Sequence, residues 1–446
     1  MKIVIAGAGG IGFHLAKLLS FAQHDIVLID SNHDVLDYAN HHLDVITVLG
    51  DATSVEVLEE ARVRTAGIFL AVTTLENDNI VACILAKKLG ANQTIARINK
   101  VSNLKEEFRN TFNELGVDKI ISPSHLASSE IIRLIKAGKV TDSFEFEEGK
   151  LSMIGITIKD ESVYIGKTIQ EIRQEKGTQY NPIAILRGNE TILPKNHIKV
   201  HKGDHIYFLI ESKEIENLLC TIGVQSVRKV KKIMMLGGNE ISIQVAKLLE
   251  DDYTITIVEK NEIICKRLAS ELSNVLIIKG DASNIELLRE EGLSDMDALI
   301  ALTQDSETNI LSCLLADKEG VMRTIALVDN VEYIHISQHI GVDTIINKKL
   351  IAANYMFRFV RKGKIEAIAS LHGVNAEVIE YIIQKENQIT KNKLRELKFP
   401  ENAIIGGVIR GNQILVPSGD FALQLHDKVI VLALPDALKK VEDLFR

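Results

Sequence analysis

Apolar positions along the chain fall into two rhythms. Near the start, short apolar runs are "KIVIAG" (2–7), "DIVLID" (25–30), "DVITVLG" (44–50), "GIFLAV" (67–72) and "QTIARI" (93–98). Between them lie stretches of helical periodicity: "GIGFHLAKLLS" (10–20), segments near 33–41 and 54–61, and "NDNIVACILAKKLG" (77–90). Runs that are apolar throughout suit strands buried on both faces, and the helices between them supply parallel crossovers. The expectation is βαβαβαβαβ, a Rossmann-like, doubly wound parallel sheet with helices on both faces. Beyond residue 150 the rhythm changes. "KLSMIGITI" (150–158) and "DHIYFLIE" (204–211) alternate as half-exposed strands, and "RGN" (187–189) and "KGD" (202–204) read as turns. This predicts a small, mainly β module of α+β type.

The pattern then runs a second time. "LGDATSVEVLEEARV" (49–63) falls on "KGDASNIELLREEGL" (279–293), and "FLAVTTLENDNIVACILAKKLG" (69–90) on "LIALTQDSETNILSCLLADKEG" (299–320). Both share an offset of 230 residues, which also places Lys2 on Lys232. "VDKIISPSHLASSEIIRLIKAGKV" (117–140) matches 342–365, and 185–210 matches 408–433. So long a period means duplicated domains, not a solenoid. The order is A, B, A′, B′, with boundaries expected at 1–140, 141–227, 228–365 and 366–446.

The first A segment carries candidate chemistry. "GAGGIG" sets Gly7, Gly9 and Gly12 at G-x-G-x-x-G spacing between a strand and a helix, and Asp30 ends the next strand. Gly7 permits the tight turn, Gly9 admits a pyrophosphate to the backbone, and Gly12 lets the helix pack closely on the sheet. Helix N-terminal N–H groups then face the phosphates. Asp30 is placed to accept hydrogen bonds from ribose hydroxyls. Its charge repels a 2′-phosphate, which favours NAD(H) or an adenine nucleotide over NADP(H). Asp51 and Thr53, after the third strand, could border an adenine, and either could also cap the next helix. Thr73 ends the fourth strand and could face the pyrophosphate. Arg97 ends the fifth and could pair with a phosphate or with a surface carboxylate. Glu76 and Asn79 are further candidates.

The second copy departs from this pattern. Gly237 keeps the turn, but Asn239 and Ser242 stand where Gly9 and Gly12 stood, and Glu240 adds a carboxylate at the helix start. Such a carboxylate suits a helix N-terminus and repels a pyrophosphate. Glu259 and Asp281 keep the two acidic positions, while Leu327 replaces Arg97. We expect A to bind nucleotide and A′ mainly to build the assembly. The alternative is that A′ takes a phosphate-free or differently posed adenosine ligand.

Composition narrows the function classes. The net charge of −8 argues against nucleic-acid binding, and "RKVKK" (228–232) reads as a solvated linker. No apolar run reaches the ~20 residues of a membrane span. The opening lacks a signal-peptide layout, and Cys83, Cys220, Cys265 and Cys313 show no metal or CxxC spacing, so a reducing cytosol is expected. His197, His201 and His205 would suit a metal only on a helix; their segment reads as strand, turn, strand, and no metal site is expected. No Ser/His/Asp order, nucleophile elbow or Walker A loop appears. A nucleotide site without an evident reaction suggests a sensor and no enzyme. The rival reading is an NAD-dependent oxidoreductase with unrecognised catalytic residues. A redox-sensing transcription factor would need a helix-turn-helix and a basic face, and we find neither.

The A-B-A′-B′ order, "IVIAGAGGIGFHLAKLL" (3–19), Asp30, "GDAT" (50–53), "AVTTLENDN" (71–79) and "IARI" (95–98) together resemble the TrkA family of Trk potassium-uptake proteins. The resemblance implies a cytosolic regulator of two RCK units, each a Rossmann-like RCK_N domain followed by an RCK_C domain. It implies attachment to the inner face of the plasma membrane on an integral-membrane, TrkH-like potassium transporter subunit. A homo-oligomer, a dimer or a tetramer forming a ring, would change shape with NAD(H), ATP or ADP. The family's nucleotide-site residues carry over onto Gly7, Gly9, Gly12, Asp30, Asp51, Thr53, Thr73 and Arg97. The segment 123–140 would be a crossover element between crevice and neighbour, or plain intrachain core.

Overall fold

The computed structural model describes residues 1–21, 24–99, 106–136, 142–146, 149–158, 162–174, 180–188, 190–222, 230–331, 333–334, 340, 342–360, 365–370, 376–386, 388–411 and 413–445. The boundaries expected at 140/141 and 227/228, residues 137–140 of the crossover segment, and Arg228 and Lys229 of the basic run lie outside these residues.

The first sheet has strands β1 (Lys2–Ala6), β2 (Asp25–Asp30), β3 (Ile46–Leu49), β4 (Ile68–Ala71), β5 (Gln93–Arg97) and β6 (Lys119–Ile121). Their order is β3-β2-β1-β4-β5-β6, and every pair is parallel. Helices α1 (Gly10–Phe21), α2 (His33–His42), α3 (Val55–Glu60), α4 (Glu76–Leu89), α5 (Glu106–Glu114) and α6 (Pro123–Lys136) make the connections and the exit. Strand β6 adds a sixth to the five expected; three residues are too few to show a period.

Packing divides the chain into two compact units. One comprises residues 1–130, 240–245 and 346–361; the other comprises the rest. In the first unit both faces of the sheet are buried, which explains its continuous apolar runs. Ile3, Ile5, Leu28, Leu70 and Ile95 face Leu15 and Leu19 of α1, while Val4, Ala6, Ile29, Phe69 and Ala96 face Leu58, Ala82 and Ala86. Cys83 and, in the second copy, Cys313 are fully buried, and burial pushes both thiols up in pKa, as suits packing residues. The first core is completed by Ala352, Ala353, Met356 and Phe357 of a helix at Lys348–Val360, taken from the second half of the chain. Likewise, His125 Nδ1 and Ser128 Oγ of α6 reach Gln244 Oε1 at 3.3 and 2.9 Å. The start of the 123–140 segment thus bonds to the second half of the same chain.

In the second unit, strands β7 (Asp142–Phe146), β8 (Leu151–Thr157), β9 (Tyr180–Arg187), β10 (Glu190–Ile192) and β11 (His205–Glu211) form a sheet ordered β10-β9-β11-β8-β7. It carries α7 (Ile169–Arg173) and α8 (Ile215–Ile222). The copied parallel sheet uses β12 (Lys232–Leu236), β13 (Thr254–Glu259), β14 (Val275–Lys279), β15 (Ala298–Ala301), β16 (Arg323–Leu327) and β17 (Thr344–Ile346), in the order β14-β13-β12-β15-β16-β17. Its helices are α9 (Glu240–Leu249), α10 (Glu262–Glu271), α11 (Ile285–Glu290), α12 (Ser306–Lys318) and α13, the Lys348–Val360 helix. The last sheet has β18 (Ile365–Ser370), β19 (Glu377–Ile382), β20 (Ala403–Arg410), β21 (Gln413–Leu415) and β22 (Lys428–Ala433), in the order β18-β19-β22-β20-β21. The boundary expected at 365/366 falls just inside β18.

The B strands are not half-exposed, as their alternation suggested. Strands β8 and β11 are buried on both faces. One face packs on α7 and α8; the other meets the last sheet in one shared core of Met153, Ile183, Tyr207, Leu209, Val378 and Ile430. A side chain at Gly406 would place its Cβ 2.8 Å from Ile183, so a missing side chain lets the two sheets close. The polar residues in these strands are internally bonded: Asn181 is 3% exposed, donates from Nδ2 to Gly406 O at 2.8 Å, and accepts from Arg173 Nε at 3.0 Å. His197 and His201 lie in the loop before β11, and His205 opens that strand. Among the described residues no group of three or more metal-ligating side chains forms, and no helix is long and apolar enough to cross a membrane.

Asn181→Ala leaves the Gly406 carbonyl and the Arg173 guanidinium without this partner. We expect it to cost about 1–3 kcal/mol in a thermal melt; an unchanged melt would show that the sheet-to-sheet bond is dispensable. Burial, aided by the Lys17 ammonium, pushes His14 from 6.5 to about 4. A group whose folded pKa is depressed contributes stability that is present above pH 6.5 and lost as pH falls towards 4. His14→Gln, the residue at the equivalent position 244, should flatten that part of the stability–pH curve.

Candidate nucleotide site

The carboxyl ends of β1 to β5 bring the expected residues to one edge. Strand β1 ends at Ala6, and Gly7 turns with φ +100°, a conformation that favours glycine. A Cβ there would also lie 2.8 Å from Thr73 N, at the end of the neighbouring β4. At Gly12 a Cβ would lie 1.8 Å from Gly7 O. The fold itself demands these two glycines. It does not demand Gly9, which is exposed, has ordinary φ, and would have nothing within 4 Å of a Cβ. The open backbone lies where β1 and β4 diverge in the strand order, the switch point at which doubly wound sheets take ligands.

Asp30 ends β2 with both carboxylate oxygens engaged. Oδ2 accepts from Ala8 N at 2.7 Å, and Oδ1 accepts from Asn32 N at 2.9 Å. It thereby holds the glycine loop against the turn into α2, which Asn32 caps by accepting from Asp34 N. Each oxygen keeps lone-pair capacity for a ribose hydroxyl. Asp51 Oδ1 accepts from Thr53 N and Thr53 Oγ1, both at 2.8 Å, and these bonds hold its carboxyl below the usual carboxylate range. Neither residue caps α3; Ser54 does, accepting from Val57 N.

Asn79, fully buried, ties two strand ends together. Its Oδ1 accepts from Thr73 N and Oγ1 at 2.9 and 2.8 Å, and its Nδ2 donates to Thr73 O and Arg97 O at 3.1 and 3.0 Å. The Thr73 hydroxyl has Asn79 Oδ1 and, at 3.2 Å, Leu75 O as its acceptors. Glu76 Oε2 accepts from Asn99 N at 2.8 Å. The Arg97 side chain is half-buried, and its Nε is buried with no acceptor among the described residues. An anion at this edge would supply one.

The second copy repeats most of these bonds. Glu259 repeats Asp30, accepting from Gly238 N and Asn261 N at 2.7 Å each. Asp281 repeats Asp51 by accepting from Ser283 N and Oγ, and Asn309 repeats Asn79 by bonding Thr303 and Leu327 O. These bonds therefore build the edge in both copies. What differs is Gly9, Gly10, Gly12 and Arg97. Asn239, at the Gly9 position, turns its amide inward to Leu302 O. The architectural role of Asn79 was not read from the sequence. Its signal is an Asn six residues after a strand-ending Thr in both copies.

Asn79→Ala should lower stability by at least about 1–3 kcal/mol, since it leaves buried backbone groups unpaired. Gly12→Ala should fail to reach the native melt at all, because the clash is with backbone. Native-like melting of Gly12→Ala would contradict this loop geometry.

The family model described as the TrkA-N domain matches residues 3–123 and 233–348, and that of the TrkA-C domain matches 153–220 and 378–446. A Trk system potassium uptake protein TrkA homolog of Archaeoglobus fulgidus is 31% identical over 447 residues, covering 100% of both chains. Homolog 1 of Methanosarcina mazei is 30% identical over 455 residues, again covering 100% of both. The solved structure of the GsuK channel bound to NAD superposes with a TM-score of 0.60 at 16% identity, over 100% of this chain and 78% of that one, a likeness of fold. With both domain types matched twice and relatives aligned end to end, this chain belongs to the TrkA family of Trk-system potassium-uptake proteins.

Proposed function

We propose that this chain is the cytosolic, nucleotide-sensing regulatory subunit of a Trk-type potassium uptake system. The observation that carries the nucleotide reading is Gly9: the fold leaves its backbone bare where nothing in the chain requires it. A pyrophosphate approaching the α1 N-terminus is the ligand such a gap fits. Around it, Asp30 would orient ribose hydroxyls and exclude a 2′-phosphate, Asp51 and Thr53 would border the adenine, and Thr73 would line the phosphate side. Arg97 would pair with a phosphate. NAD(H) leads, with ADP and ATP as alternatives; a channel of the same fold carries NAD. The modules run 1–140, 141–227, 228–365 and 366–446, with A′ serving the assembly.

The subunit would sit on the inner face of the membrane against a TrkH-like transporter, as a dimeric or tetrameric ring. A nucleotide shifts such a ring between shapes only by its difference in affinity for them, and a crevice that closes on the ligand provides that difference. No turnover is part of this role; the family's naming for potassium uptake favours it over an oxidoreductase.

Calorimetric titration with NAD+, NADH, ADP and ATP tests the reading. We expect micromolar binding of at least one, without turnover. Gly9→Ala should keep the native melt and weaken binding tenfold or more, about the effect of losing one charge-assisted phosphate contact. Full affinity in Gly9→Ala would remove the main support for a pyrophosphate at this loop.

A further inference from the structure

Gly10 is not one of the three fingerprint glycines, yet it too lacks a side chain. It opens α1, and a Cβ there would lie 3.0 Å from Cδ of Lys349 and 3.9 Å from its Nζ. The stem of Lys349, in the first turn of α13, therefore lies across the start of α1. Asn347, 3% exposed, fixes that turn by accepting from Lys349 N and Leu350 N, both at 3.0 Å. The placement runs against helix electrostatics. Lysines at 348 and 349 sit at the positive end of α13, where acidic residues are the stabilising choice. Lys349 also lies next to the N-terminus of α1, an end that favours anions.

The internal repeat gives an independent comparison. By the alignment of 117–140 with 342–365, Ser124 stands where Lys349 stands. By the offset of 230, Glu240 stands where Gly10 stands. The half with the open glycine loop thus receives a lysine and offers no side chain to block it. In the half with the altered loop, the aligned residue is a serine and the loop carries its own carboxylate, Glu240. Charge has been exchanged in both members of the pair, in the sense that favours phosphate in A alone.

We propose that Lys349, from the second half of the chain, is a phosphate-binding residue of the nucleotide site in the first half. Its ligand class is a nucleoside di- or triphosphate or the pyrophosphate of a dinucleotide. Adenosine, which has no phosphate, would not engage it. Bound phosphate then ties the start of α13 to the glycine loop, so occupancy acts directly on the helix that leads out of A′. The inference rests on the nucleotide reading above.

The test is titration of the full chain with ADP, NAD+ and adenosine, for wild type, Lys349→Gln and Lys349→Arg, alongside ligand-free melts. We expect Lys349→Gln to melt like wild type and to bind ADP and NAD+ about tenfold or more weakly, as loss of a charge-assisted contact requires. Adenosine binding should be unchanged, and Lys349→Arg should retain most of the ADP affinity. Wild-type affinity for ADP in Lys349→Gln, or equal weakening of ADP and adenosine, overturns the inference while leaving the nucleotide site standing. Wild-type protein that binds none of the three sinks the nucleotide reading itself, and this inference with it.

Discussion

The hydrogen bonds at the carboxyl edge of the parallel sheet are the constraint on which the first half depends. Asp30 holds the backbone of the glycine loop, and Asn79 joins the ends of β4 and β5. Between them they fix where Gly7 can touch Thr73 and where α1 can begin. The loop's open backbone is a consequence: two glycines are consumed by packing, and one is left facing outward. Buried polar groups of this kind cost more when broken than they contribute when made.

Duplication gives one chain two versions of this edge. Glu259, Asp281 and Asn309 reproduce the scaffold bonds closely, although the second copy has no counterpart of Gly9, Gly12 or Arg97. The second copy also contributes α13 to the core of the first, where Ala352 and Ala353 are fully buried. A division of labour follows in physical terms. One copy offers bare backbone and a cation; the other offers a packing surface and a carboxylate.

Much of this was legible in the sequence. Continuous apolar runs such as "KIVIAG" announced strands covered on both faces, and the offset of 230 residues announced the duplication. The eight candidate residues do gather at one sheet edge. Less legible were features that depend on distant partners. Strands β8 and β11 looked half-exposed because the sequence does not say that a second B sheet covers their outer face. Strand β6 is too short to carry a period. Ser54 caps α3 in place of Asp51 or Thr53, because those two bond each other first. Lys349 lies more than 300 residues from the loop it reaches, so only the folded chain puts them together.

The central claim is that one half of this chain binds nucleotide and the other is its scaffold. Counting bound nucleotide per chain at saturation, on protein stripped of ligand, tests it most directly. We expect one per chain, falling to none when Gly9 and Arg97 are replaced by the residues of the second copy, Asn and Leu. Two per chain, or one that survives those replacements, would contradict it.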